Sequence, residues 1–201
     1  MKVFFDNAKV FFLFVMLSVN ASAEHYVEPQ RNDQYAHQAK LHTGAFAKEL
    51  KAALVAALQA GGPVEAIEVC NMQALPIAKS ISAQSGWTIK RTSLRLRNQA
   101  NKPDEWEMAT LLQFEQRKAA GENISTITQE KLVSQEGEML YRYMQAIPTT
   151  GVCVSCHGDN LGGDIAEKLE ELYPNDSATG FNLGDIRGAF SLQKNIKEPS
   201  K

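Results

Sequence analysis

Residues 87–94 read WTIKRTSL, and the texture of the chain changes there. β-Branched and aromatic residues crowd this stretch, which is the composition of a strand. What precedes it is helical in pattern. Phe46, Leu50, Leu54 and Leu58 recur every four residues, with Lys48, Glu49 and Lys51 off that face, which predicts a helix over 32–60. Gly61-Gly62 stops it, and Pro63 suits the first turn of a second helix. That helix carries Ile67, Cys70, Ala74, Ile77 and Ile81 on one stripe, is expected to bend or break at Pro76, and closes at Gly86.

Beyond the strand, 95–102 (RLRNQANK) is a polar loop, and Pro103 starts a helix through Trp106, Ala109 and Leu112 that ends before Gly121. Residues 124–127 read as a short strand and 138–147 as a longer one, ended by Pro148. A cysteine-bearing loop follows, then a short amphipathic helix near 164–172. The turn-rich stretch YPNDSATGFNLGD (173–185) leads to a final strand near 186–192. Neither repeats nor low-complexity linkers interrupt the pattern. The chain therefore reads as one α+β domain over 24–192, with 193–201 a disordered tail.

The N-terminus predicts export. Lys2 and Lys9 flank an apolar run at 10–19, and Ala21-Ser22-Ala23 is a small-residue cleavage site, so 1–23 reads as a signal peptide. The run is shorter than the roughly 17–25 apolar residues a membrane helix needs. No second hydrophobic span is expected, so the mature chain is expected to be soluble and periplasmic. A net charge of −2 gives no support to nucleic-acid binding.

Residues 151–160, GVCVSCHGDN, carry the chemistry. A zinc knuckle would need a second ligand pair at matching spacing, which the remaining Cys and His do not offer. A thioredoxin-like pair would sit at a helix start in a βαβ unit and would not require the histidine. Covalent haem attachment uses every part of the motif: Cys153 and Cys156 bond the vinyl groups, and His157 is held where it can ligate iron. One haem c is expected. Cys70, the third of three cysteines, then has no intramolecular partner.

Four stretches together resemble a family of bacterial extracytoplasmic c-type haem proteins with a PAS-like fold. It was first catalogued as a domain of unknown function and is also found as the sensor portion of some membrane histidine kinases. They are AIEVCNMQA (66–74), IKRTSLRLRNQANKPDEWE (89–107), CVSCHG (153–158) and YPNDSATGFNLGDIRGAFSL (173–192), within a similarity spanning 38–192. Where the family often has proline, this chain has Gln99, which bears on loop rigidity more than on haem binding. The resemblance implies an antiparallel PAS-like sheet with N-terminal helices packed over it and the haem against the sheet. It also implies that the cysteine in the position of Cys70 can be the second axial ligand.

The residues themselves support Cys70 without deciding it. It lies on the apolar stripe of its helix, and a metal favours thiolate over thiol, yet a buried cysteine is commonly a small hydrophobe. Met72, Met108, Met139 and Met144, with His25, His37 and His42, are the rivals, and an open site is the remaining alternative. Arg91, Arg95 and Arg97, with Asn98 and Asn101, offer charge-assisted hydrogen bonds to the haem propionates, or else merely fix the loop. The family match favours Arg97 and Asn98.

A thiolate ligand would stabilise ferric iron and weaken on reduction, opening a site for a diatomic gas. The expected function is thus a redox or gas sensor without catalysis, signalling through an unidentified protein partner. The alternative is a soluble periplasmic electron-transfer cytochrome c.

Overall fold

Gly61 and Gly62 divide the long N-terminal helical segment. In the computed structural model, which describes residues 29–135 and 137–196, α1 (Pro29–Ser85) consists of two arms joined at this pair. Gly62 has φ 72°, a left-handed conformation that glycine adopts without a Cβ clash. Pro63 opens the second arm where its missing N–H would be unpaired anyway. Contrary to expectation, Pro76 does not break this arm: the helical dihedrals fail only at the two glycines. Met72, whose carbonyl the proline cannot bond, is solvent-exposed, as is Pro76, so water can take the place of the lost bond.

The chain then alternates. β1 (Thr88–Thr92) is followed by α2 (Glu105–Ala119), β2 (Thr128–Gln135), β3 (Glu138–Pro148), α3 (Gly151–His157), α4 (Gly163–Leu172) and β4 (Ile186–Ile196). Helix α2 begins at a capping box: Asp104 accepts from the Glu107 amide, and the Glu107 carboxylate accepts from the Asp104 amide. Residues 124–126 form a 3₁₀ turn capped by Asn123 rather than the expected short strand. The residues expected to form a loop around the cysteines make helix α3. β4 runs on to Ile196, which pairs with Met139, so the first part of the expected tail is sheet. The expected signal peptide and residues 197–201 lie outside the described residues.

The four strands pair antiparallel in the order β1-β4-β3-β2. Side chains alternate across a strand, so this sheet has two faces to cover. α1 covers one: Ala39, Phe46, Ala78 and Ile81 pack with Trp87, Tyr141, Tyr143, Phe190 and Leu192. α2 covers the other, placing Leu111 and Phe114 against Met144, Ala146 and Ala189. The class is α+β, as the sequence predicts, and the antiparallel sheet under N-terminal helical arms is what the family resemblance implies. By length and composition alone, alanine-rich α1 is long and apolar enough to cross a membrane, although its inner stripe packs on the sheet.

Gly188 shows how closely β1 and β4 approach at the end of their ladder. A Cβ there would lie 2.3 Å from the Thr92 carbonyl oxygen. Only glycine lets the two backbones meet, and that contact forms one wall of the site described next.

Candidate functional site

Cys153, Cys156 and His157 lie within two turns of α3. Helical spacing puts residues three and four apart on one face, so the two thiols and the imidazole share an aspect. The segment is short and poor in strong helix formers; tertiary bonds hold it. The amide of Phe181 donates to the His157 carbonyl (2.8 Å), and that of Gly180 to the Gly158 carbonyl (3.0 Å). The Ser177 amide donates to the Leu96 carbonyl (2.7 Å), binding the 95–102 loop to the 173–185 loop.

These elements enclose a cavity of about 450 Å³, within the range of small-molecule and cofactor pockets. The second arm of α1 contributes Ile67, Cys70 and Ala74. α3 contributes both motif cysteines and His157, and the sheet contributes Arg91, Arg187 and Gly188. All three cysteines are free thiols and all three line this space. Among the described residues, no group of three or more His, Cys, Asp or Glu converges as a bare metal ion would require.

His157 is prepared for coordination. Its Nδ1 lies 2.7 Å from the Ala178 carbonyl oxygen, which can only accept, so Nδ1 carries the proton and Nε2 keeps its lone pair. Burial, and then the charges of Arg187 and Arg97, push the imidazole down to about 2, leaving it neutral throughout the physiological range. The ring also meets Phe181 edge-on at 6.2 Å. Burial pushes the Cys70 thiol up, opposed by Arg91 and Arg97. An approaching cation would reverse the balance in favour of thiolate.

The rival ligands are placed elsewhere. Met72 is 62 % exposed and Met108 39 % exposed, Met144 is buried on the α2 side of the sheet, and Met139 packs beside the α1 core. His37 is exposed and His42 packs against Trp87 at 6.1 Å; His25 lies outside the described residues. Among the described Met, Cys and His residues outside the motif, Cys70 alone lines the cavity.

Arg97 and Asn98 also border the cavity; the Arg97 guanidinium and the Asn98 carboxamide oxygen are engaged locally. Arg97 donates through Nε to Asp176 (3.0 Å) and through Nη2 to the carbonyls of Cys156 and Ala178. The Asn98 carboxamide oxygen caps the Ala100 amide at 2.9 Å. Arg95 stacks over Phe181 at 3.5 Å and donates to the Gly180 carbonyl. Among the lining residues that escaped sequence reasoning are two with polar side chains at the ends of their elements. Arg187 reaches the cavity from the start of β4, and Tyr173 from the end of α4, although both lie within the 173–192 stretch that carried the family resemblance.

A family model described as Tll0287-like matches residues 13–194. The chain belongs to this Tll0287-like family. Among solved structures, the crystal structure of the cyanobacterial heme-protein Tll0287 superposes with a TM-score of 0.56 at 21 % identity, covering 86 % of this chain and 99 % of that one. That likeness establishes a shared fold. No curated protein matches.

Proposed function

We propose that this member of the Tll0287-like family binds one haem c, held covalently by Cys153 and Cys156, with His157 and Cys70 as axial ligands. The observation that carries the reading is convergence: three cysteines and a neutral histidine, drawn from two separate helices, line one cavity. The fold is that of a protein described as a heme-protein, and the motif is the attachment sequence for such a group.

The residues divide the work. Cys153 and Cys156 anchor the group through thioether bonds, and the helical spacing of α3 presents both thiols together. His157 offers Nε2 because Ala178 holds the proton on Nδ1. Cys70 offers a thiolate, whose negative charge favours ferric iron. Bound haem supplies an iron that cycles between ferric and ferrous forms and accepts a sixth ligand. Cys70 sits on α1 and the two attachment cysteines on α3, so its release on reduction would leave the covalent attachment untouched.

This behaviour suits a periplasmic redox or diatomic-gas sensor that signals through a protein partner. An electron-transfer cytochrome would use the same anchor and is distinguished by ligation that persists on reduction.

Haem staining of denaturing gels tests the anchor. The parent and Cys70→Ala are expected to retain stain, and Cys153→Ala/Cys156→Ala to lose it. An unstained parent contradicts covalent attachment. Absorption spectra of the parent in both redox states then separate the functions: a ligand change on reduction supports sensing, and invariant ligation supports electron transfer.

A further inference from the structure

The cavity is cationic, and its cations are unevenly satisfied. No Asp or Glu is among the described residues that line it. Lys90 is paired with Glu107 at 2.8 Å, Arg97 with Asp176 at 3.0 Å, and Arg95 is spread over the Phe181 ring. Lys51 also lines the cavity, and Arg187 shares the Phe181 ring at 5.1 Å, but Arg91 and Arg187 are the two cations that the sheet itself places in the wall without a carboxylate. Among the described residues neither has a carboxylate within ion-pair distance, and Arg91 has no hydrogen-bond partner. Arg187 gives Nη1 to the Ser93 hydroxyl and the Arg95 carbonyl, both at 3.2 Å. Its Nε is buried without a partner.

Such an arrangement is unstable as a closed account. A buried guanidinium without a counter-charge loses its hydration with little in return, and a second one nearby adds repulsion. Both groups register this strain: burial pulls Arg91 down, and it pulls Arg187 down to about 9, helped by repulsion from Arg97 and Arg91. The two residues stand on neighbouring strands. Arg91 pairs across to Phe190 on β4, the strand on which Arg187 precedes Phe190. Arginine forks match carboxylates with two parallel hydrogen bonds.

We infer that Arg91 and Arg187 form the carboxylate-binding pair of this cavity and take the two propionates of the haem. The inference rests on the haem reading above and replaces Arg97 in that role. Two guanidiniums without a carboxylate partner on the described residues then face two carboxylates. Arg97 is left to its structural bonds with Asp176 and the loop carbonyls.

Resonance Raman spectroscopy of loaded Arg91→Gln, Arg187→Gln and Arg97→Gln holoproteins, beside the parent, tests this. Haem staining of the same samples reports attachment independently. Loss of either fork is expected to shift a propionate bending mode to lower frequency. It should also make the reduction potential fall as pH rises, because a released propionate titrates where a paired one stays ionised. Arg91→Lys and Arg187→Lys keep the charge but lose the fork, so they carry the same test if the Gln variants fail to fold. Loaded variants at 91 and 187 with parental propionate modes overturn the inference, as does a shift confined to Arg97→Gln. A parent without covalent haem overturns it together with the haem reading.

Discussion

The Ala178 carbonyl accepts from His157 Nδ1 at 2.7 Å and, at 3.2 Å, from Arg97 Nη2. One peptide oxygen thus fixes the tautomer of the proposed iron ligand while a guanidinium draws on the same lone pairs. Sharing weakens the bond to the imidazole and limits how strongly Nε2 can donate.

Removal of Arg97 is therefore expected to lower the reduction potential. The histidine becomes a stronger donor, a nearby positive charge disappears, and Asp176 is left uncompensated; all three favour ferric iron. The same change strips a partner from a buried ion pair, at a cost of about 3 kcal/mol in stability. Potentiometric titration and urea unfolding of Arg97→Gln check both parts. A potential equal to or above the parent's would show that the shared carbonyl does not tune the ligand.

Gly188→Ala is expected to destabilise the fold by about 2 kcal/mol or more, since the new Cβ would sit 2.3 Å from the Thr92 carbonyl oxygen. β1 would have to move away from β4, disturbing Arg91 and the cavity wall together. Chemical denaturation measures the first effect and the haem absorption envelope the second. Parental stability would mean that the two backbones part easily.

Asp185 supplies a pH-dependent tie. Hydrogen bonds from the Lys118 ammonium (2.7 Å) and the Asn182 amide (2.7 Å) hold its carboxyl below the ordinary aspartate value. A folded-state pKa below the unfolded one stabilises the fold above the unfolded pKa and ceases to do so as pH falls through the folded value. Asp185→Asn is expected to cost about 1 kcal/mol at neutral pH. That difference should shrink as pH drops below about 4. Thermal melts at stepped pH check it, and a constant difference down to strong acid would contradict the assignment.

The elements legible in the sequence were those with local chemical causes. Gly61-Gly62 divides α1, and the Asp104–Glu107 capping box starts α2, because each effect is written within a few residues. β2 was missed because TQEKLVSQ is an edge strand with only Leu132 and Val133 apolar, and its pairing with β3 defines it. Residues 193–196 read as tail for the same reason: QKNI gains its order from the partner strand. In the site, Cys153, Cys156 and His157 were readable from spacing alone. Arg187 was not, since Ser93 and the cavity reach it only through the long-range pairing of β1 with β4.

The central claim is that Cys70 and His157 share one iron. Electron paramagnetic resonance of the purified ferric holoprotein and its Cys70→Ala variant tests it most directly. The account predicts a low-spin thiolate signature in the parent that disappears in the variant while covalent haem remains. A histidine–methionine or bis-histidine signature in the parent, or a signal unchanged by the substitution, would contradict it.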